Sequence, residues 1–408
     1  MTRATPLTQF QPTEDERTTQ ESSTATKRAA MRVAVLATAV DFGGIEKVLL
    51  TLLGNMEQDV ELVPIVFTRS DGRSRAFFDQ LARLRTPTRT LFVDRSRLKY
   101  LNPIRNIVEA IGLLKHERVD LIHSHGYRAD LIALVVSRVL GIPVVSTCHG
   151  FTPIDRRLAF YSGLNVLMLR RFTRVMAVST RMRDDLVGQG IQSDRVVVVT
   201  NAIEPVAESA RQIARHDVRS RLQIGEHEIV FGYVGRLSDE KGVEHLLSAL
   251  ACRAPEPPWR LLIVGDGPRR RDLEQAASRT GLAERITFAG FQSDASAWYA
   301  AMDLFVLPSL TEGTPMALLE AMIRRLPVVA TAVGGVPAIV SNRSNGILVP
   351  AGNPQALSDA LSELANDDAL RVRLSNAGYE TVHERYDVGT WVSRVRSVYQ
   401  QALEGVPA

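Results

Sequence analysis

Two carboxylates stand close together in Asp303–Pro350, a stretch that reads DLFVLPSLTEGTPMALLEAMIRRLPVVATAVGGVPAIVSNRSNGILVP. Glu312 and Glu320 are separated there by seven residues. The apolar run ending at Pro308-Ser309 predicts a buried strand, and the loop after it presents Glu312 and Gly313. A helix is expected to start near Pro315, since a first helical position does not need the N–H that proline lacks. Glu320 then falls about a turn and a half inside that helix. Two carboxylates along one side of a cleft can accept hydrogen bonds from several hydroxyls of an extended ligand. The unpaired N–H groups of the helix start suit an anionic phosphate. Carboxylate for hydroxyl and helix start for phosphate together describe a nucleotide-sugar site.

Other residues can join that site. Val234–Gly242 reads VGRLSDEKG: a strand delivers Gly235 and Arg236 to a loop, and Lys241-Gly242 open the next helix. Leu261–Pro268 (LLIVGDGP) offers Gly265 and Gly267, but the third position of a dinucleotide fingerprint is Arg270, which argues against a nicotinamide enzyme. Gly290-Phe291 follows a further strand. Toward the N-terminus, Gly43 and Gly44 follow the first apolar run, where glycine lets backbone N–H groups approach a ligand closely. Thr147-Cys148-His149-Gly150 follows another strand and brings an imidazole to the same kind of edge. His123 and His125 also end a strand; with no carboxylate at ligand spacing they read as cleft-wall or core residues rather than metal ligands.

These blocks, in this order, resemble the signature of the retaining glycosyltransferases of family 4, which have the two-domain GT-B fold. The matching features are the spacing of Glu312 and Glu320, the AM…PVVAT strand, the Gly334-Gly335 loop and the GRLSDEKG loop, and the likeness extends over roughly residues 31–390. The resemblance implies that Arg236 and Lys241 hold the donor diphosphate, whose negative charge grows as the bond to the sugar breaks. It implies that Glu320 binds ribose hydroxyls, that Glu312 faces the transferred sugar and that His149 points at that sugar. It adds Gly43, Gly44, Gly235, Gly265, Gly267, Phe291, Gly313, Thr314, Pro315, Met316 and Ala317 as donor-binding positions. The donor would be a nucleotide-sugar carrying a hexose-type sugar, a UDP-sugar ahead of a GDP-sugar, and the acceptor a glycan or lipid-linked molecule of envelope or exopolysaccharide synthesis. Neither a metal nor another cofactor is expected, because the chain contains no Asp-x-Asp and Arg236 and Lys241 can neutralise the diphosphate. A nucleotide-sugar isomerase or epimerase, or a non-catalytic nucleotide-sugar binder, remain alternatives on the same fold. Departures from the family pattern fall at Arg325-Leu326-Pro327, at Ala338, at Asn201-Ala202 and at Pro315, whose missing N–H cannot bind the sugar.

The elements that must position these residues are short β-branched runs alternating with helical segments. One series covers Arg32–Ala37, Glu61–Phe67, Leu91–Asp94, Val119–His123, Pro143–Thr147, Val175–Ser179 and Val196–Thr200. The alternation pauses over 203–228, then resumes at Ile229–Val234, Arg260–Val264, Arg285–Ala289, Asp303–Leu307, Pro327–Thr331 and Gly346–Val349. Such alternation predicts an α/β fold of two doubly wound parallel sheets facing across a cleft, with ligands beyond the carboxyl ends of the strands. The 408 residues divide into a polar, disordered leader (1–30), an acceptor-side domain (31–205), a donor-binding domain (206–384) and a C-terminal helix (385–408) packing back on the first domain.

Composition narrows the class. Apolar residues make up 45% and charged residues 23%, as in soluble globular proteins. A net charge of +4 with only 6% aromatics argues against a nucleic-acid binder. Cys148 and Cys252 form no disulfide framework and suit a reducing, cytoplasmic setting. No apolar run reaches the ~18–20 residues of a membrane span, and the leader lacks the apolar middle of a secretory signal. Two basic stretches suggest an anionic membrane surface as a partner. Arg69–Arg105 holds ten Lys/Arg against three acids, and Arg156–Arg183 holds seven Arg and no acid.

Overall fold

A computed structural model of the chain describes residues 30–39, 43–69, 74–84, 87–92, 102–149, 156–206, 208–252 and 258–405. The leader (1–30) therefore lies, but for its last residue, outside the described residues.

Seven strands build the first sheet: β1 (Met31–Ala39), β2 (Val60–Thr68), β3 (Arg89–Phe92), β4 (Leu121–His125), β5 (Val144–Cys148), β6 (Arg174–Ala177) and β7 (Val196–Val198). Six build the second: β8 (Ile229–Val234), β9 (Trp259–Val264), β10 (Ile286–Gly290), β11 (Leu304–Leu307), β12 (Val328–Thr331) and β13 (Ile347–Val349). The orders are β3-β2-β1-β4-β5-β6-β7 and β10-β9-β8-β11-β12-β13, and every pairing between named strands is parallel. Central strands such as VVSTC and LFVL are buried along their whole length, because helices cover both faces of a parallel sheet. Two apolar clusters flank each sheet.

The helices of the first half are α1 (Gly44–Asn55), α2 (Arg75–Arg83), α3 (Asn102–Glu117), α4 (Tyr127–Leu140), α5 (Arg156–Leu169) and α6 (Thr180–Gly188). Those after it are α7 (Glu208–Arg221), α8 (Val243–Cys252), α9 (Arg270–Arg279), α10 (Ser296–Ala301), α11 (Met316–Met322) and α12 (Val336–Ile339). Three long helices close the chain: α13 (Pro354–Asn366), α14 (Asp368–Arg385) and α15 (Val388–Glu404). α15 lies against the first sheet rather than the second. Its Trp391, Val395, Val398 and Tyr399 share one buried cluster with Val33 and Val35 of β1 and Leu49 of α1. Arg396 anchors its outer side to Asp59 and Glu57.

Several expectations shift by a few residues. β3 begins at Arg89, two residues before the apolar run suggested, and β4 runs to His125, so both of its histidines lie inside the strand. Asp303 precedes β11 instead of starting it, although its N–H donates to the Val230 carbonyl of β8 at 2.8 Å, and its carboxylate pairs with Arg215 and Arg219 of α7. Pro315 is the residue before α11 rather than its first, with ψ at 100°, so Met316 opens the helix.

Candidate active site

The carboxyl ends of the two sheets meet. Thr314 Oγ1 donates to the Val178 carbonyl across the gap at 2.8 Å, and a Cβ at Gly313 would overlap the carbonyl of His149. Gly335 faces Ser179, and Gly44 faces Met316. In each sheet the strand order reverses at one point, between β1 and β4 and between β8 and β11. The loops at those two points face each other, which is where open α/β sheets bind ligands.

On the second sheet, the loop after β8 carries Gly235 and Arg236, and a tight turn, Asp239–Lys241, ends at Gly242 with φ at 60°. Lys241 Nζ reaches Glu312 Oε1 at 2.7 Å, and Ser309 Oγ donates to the same oxygen at 2.7 Å. Glu312 is thus held by two donors, its side chain only 6% exposed. Arg236 is exposed, and its guanidinium has no partner among the described residues. Its carbonyl accepts from the Tyr233 hydroxyl at 2.8 Å, which fixes the turn that presents it.

The glycines here are used by backbone packing. Gly334 stands at φ 54°, where a Cβ would run into the Glu312 carbonyl, so the Gly334-Gly335 loop forms the floor under Glu312. Gly265, at φ 138°, lies against the Gly235 carbonyl, and Gly267 against Leu237. The amide of Gly265 donates to the Gly290 carbonyl at 2.8 Å and that of Gly267 to Asp266 at 2.7 Å. Phe291 follows β10, the outermost strand, with its residue 47% exposed, two strands away from the Lys241–Glu312 pair.

Glu320 is buried in α11 and takes its partner from the other half of the chain. Lys47 Nζ of α1 reaches its Oε1 at 2.5 Å. The Tyr299 hydroxyl donates to the Ala317 carbonyl at 3.2 Å; burial, with the Glu320 charge beside it, pushes its pKa well up. Gly43 precedes α1, and its N–H donates to Glu46 Oε2 at 3.0 Å, satisfying the helix end from within. Leu318 and Leu319 donate to the Pro315 carbonyl, leaving Met316 and Ala317 ahead of the first helical bonds of α11.

The first sheet supplies imidazoles. His149 follows β5, and its Nε2 lies 3.1 Å from Nδ1 of His125 at the end of β4. His123, two residues earlier on the same face, is held by the Tyr399 hydroxyl of α15 on Nδ1 (2.7 Å) and by Thr147 Oγ1 on Nε2 (2.8 Å). Burial drives all three toward the neutral form: His149 is lowered to about 4, His123 to about 3, and His125 well below its ordinary value. Asp130, in the first turn of α4, accepts from Ser124 (2.6 Å) and Ser146 (2.8 Å), and burial raises its pKa to about 6.

The structure therefore brings Lys241, Glu312, Gly313 and His149 together, sets Arg236 in the turn beside them and Glu320 one helix further on. Phe291 stands apart. Gly150 lies outside the described residues. The sequence reading overlooked Lys47, Ser309 and Tyr399. Lys47 carried one signal, its place one turn after Gly43-Gly44 at a helix start.

Comparison with known proteins places this arrangement. The family model of Glycosyltransferase Family 4 matches residues 42–206, and that of Glycosyl transferases group 1 matches residues 214–381. A 2-deoxystreptamine N-acetyl-D-glucosaminyltransferase of Streptomyces fradiae is 31% identical over 306 residues, covering 70% of this chain and 72% of the relative. An Escherichia coli enzyme, UDP-Gal:alpha-D-GlcNAc-diphosphoundecaprenol alpha-1,3-galactosyltransferase, is 25% identical, covering 74% of this chain and 80% of the relative. Among solved structures, Anabaena HepE in complex with UDP-glucose superimposes with a TM-score of 0.78 at 24% identity, over 91% of this chain and 99% of the other. That likeness establishes the GT-B fold.

Proposed function

The chain belongs to the family 4 glycosyltransferases, and from that premise we propose that it transfers a hexose-type sugar from a nucleotide-sugar to a glycan or lipid-linked acceptor with retained configuration. The observation that carries this reading is the Lys241–Glu312–Ser309 cluster at the β8/β11 switch point, facing His149 through Gly313. Arg236 and Lys241 take up the negative charge that develops on the leaving diphosphate. Glu320 binds the ribose hydroxyls, Glu312 faces the sugar, and neutral His149 hydrogen-bonds a sugar hydroxyl. Gly43, Gly44, Gly235, Gly265, Gly267, Gly313, Thr314, Pro315, Met316 and Ala317 shape the donor pocket through their backbones and contacts, and Phe291 borders the nucleotide. Retention rests on the family resemblance alone; Lys241 and Ser309 hold Glu312 so that it is poorly placed as a nucleophile, which favours a same-face displacement over a double displacement. The leaving phosphate then assists removal of the acceptor proton on the same face. The half from 206 to 384 serves the donor and that from 31 to 205 the acceptor, with 385–408 tied to the latter.

A UDP-sugar is favoured as donor because the Escherichia coli relative is a UDP-galactose enzyme and HepE is seen with UDP-glucose. Thermal unfolding tests the proposal. A ligand at 100 times its Kd adds about 2.7 kcal/mol of stability. UDP-hexoses should raise Tm more than GDP-hexoses, and equally so in excess chelator. A panel in which no nucleotide-sugar moves Tm rejects the reading. A shift that needs Mg²⁺ or Mn²⁺ rejects metal independence. Product formed without any acceptor would point to the isomerase alternative.

For the acceptor, we favour a lipid-linked molecule on an anionic bilayer, with the protein peripheral to the cytoplasmic face. Ile104 and Val108 of α3 and Leu164 and Leu167 of α5 are exposed, while Val166 and Leu169 take the packing face of α5. Part of both Arg-rich stretches, including residues 93–101 and the side chains of 156–162, lies outside the described residues. Among the described residues no helix is long and apolar enough to cross a membrane. Flotation with vesicles should show binding that requires anionic lipid and weakens with salt. Binding to neutral vesicles alone, or to none, contradicts it.

A further inference from the structure

The buried imidazoles behind His149 take no part in the scheme above, and one of their atoms is unsatisfied. His125 Nε2 is buried without a hydrogen-bond partner among the described residues, on a residue only 3% exposed. Its other nitrogen, Nδ1, faces His149 Nε2 at 3.1 Å. One proton must lie between them, and there are two arrangements for neutral rings. If His149 supplies it from Nε2, then His125 accepts on Nδ1 and must carry its own proton on Nε2, an N–H buried with nothing to receive it. If His125 supplies it from Nδ1, its Nε2 is a bare lone pair, and His149 carries its proton on Nδ1. Orphaned donors are rarer in folded proteins than under-satisfied acceptors, which selects the second arrangement. The low pKa that burial gives both rings removes the doubly protonated alternative at neutral pH.

We infer that His125 is a positioning residue: it donates Nδ1–H to His149 Nε2 and so fixes His149 as the Nδ1–H tautomer, a hydrogen-bond donor toward whatever lies in the cleft. The ring of His125 cannot swing away easily. It lies against His123 with centroids 4.2 Å apart, and His123 is pinned between Tyr399 and Thr147. The C-terminal helix thereby reaches the back of the site through Tyr399. A donor at His149 matches a sugar hydroxyl oxygen presented as acceptor, and the alternative tautomer would present a lone pair instead. The consequence for turnover rests on the proposal that His149 faces the transferred sugar; the tautomer does not.

Nitrogen-15 histidine labelling of the full chain reads the tautomer directly, with the His149 signals identified by their loss in His149→Gln. The expected result is a protonated Nδ1 and an unprotonated Nε2 on His149. His125→Leu should release this preference and lower kcat about tenfold with little change in donor KM, the size of one hydrogen bond made at the reacting sugar. His125→Asn, whose amide can place an N–H near the former Nδ1, should recover most of that loss. A proton on His149 Nε2 in the wild type overturns the inference, as does equal loss in the Leu and Asn variants. If the tautomer is as stated and His125→Leu keeps full turnover, the positioning role fails together with the sugar-facing role of His149, while thermal shifts with nucleotide-sugars would still stand.

Discussion

The two sheet edges that face each other differ in how they carry charge. The edge of the second sheet holds Arg236, Lys241, Glu312 and Glu320, two of them ion-paired with ammonium groups. The edge of the first offers neutral imidazoles and hydroxyls, with Lys47 paired to Glu320 and Asp130 buried against Ser124 and Ser146, its pKa raised to about 6. A diphosphate leaving group needs fixed positive charge; a sugar and an incoming hydroxyl need directional hydrogen bonds without net charge. The division is consistent with the proposed donor side and acceptor side, His149 being on the latter and facing the former through Gly313.

The largest effect should come from the charged edge. Arg236→Ala should lower turnover by roughly 10²–10³, the usual cost of losing one stabiliser of transition-state charge. Because Arg236 is exposed and without a partner among the described residues, its stability should stay within about 0.5 kcal/mol of wild type. Lys241→Ala should lose comparable turnover and stability as well, since it strips one of two donors from the nearly buried Glu312. Wild-type turnover in either variant, or equal stability in both, would erase the distinction.

A smaller effect should mark the neutral edge. His123, His125 and His149 have pKa values lowered from 6.5, so on unfolding they bind protons as pH falls below that value. Their stability contribution is complete above pH 6.5 and is lost as pH drops toward 4. Asp130, raised from 3.8 to about 6, acts oppositely: its contribution is complete below about 4 and is lost as pH rises through 6. Three groups outweigh one, so stability should rise with pH between about 4.5 and 6.5. His125→Asn should make that rise shallower, by about 1.4 kcal/mol per pH unit at most. An unchanged slope would mean that His125 is not buried neutral.

The charged edge was legible because its residues lie within short blocks: Gly235 to Lys241, and Glu312 to Glu320. Alternating apolar runs likewise revealed both sheets, blurring only ends such as the starts of β3 and β11. What the sequence reading could not yield was contact across the fold. Lys47 meets Glu320 over 273 positions and His123 meets Tyr399 over 276, and nothing local encodes either. The spacing of His123 and His125 did hold a clue, since alternate residues of a strand share a face. Gly265 and Gly267 are legible in one dimension as loop glycines; that their missing side chains make room for the backbone of residues 235–237 shows only in three.

The central claim is that Glu320 and Glu312 divide the donor between them, ribose to one and transferred sugar to the other. The ribose is unchanged by the reaction, so Glu320→Gln should mainly raise donor KM and weaken binding of the bare nucleoside diphosphate. The sugar becomes cation-like as its bond breaks, so Glu312→Gln should mainly lower kcat and leave nucleotide affinity almost unchanged. Donor titration of both variants, with calorimetry of the nucleotide alone, measures this directly. Nucleotide affinity lost in Glu312→Gln and kept in Glu320→Gln would reverse the roles. No change of either quantity in either variant would show that the nucleotide-sugar site lies elsewhere.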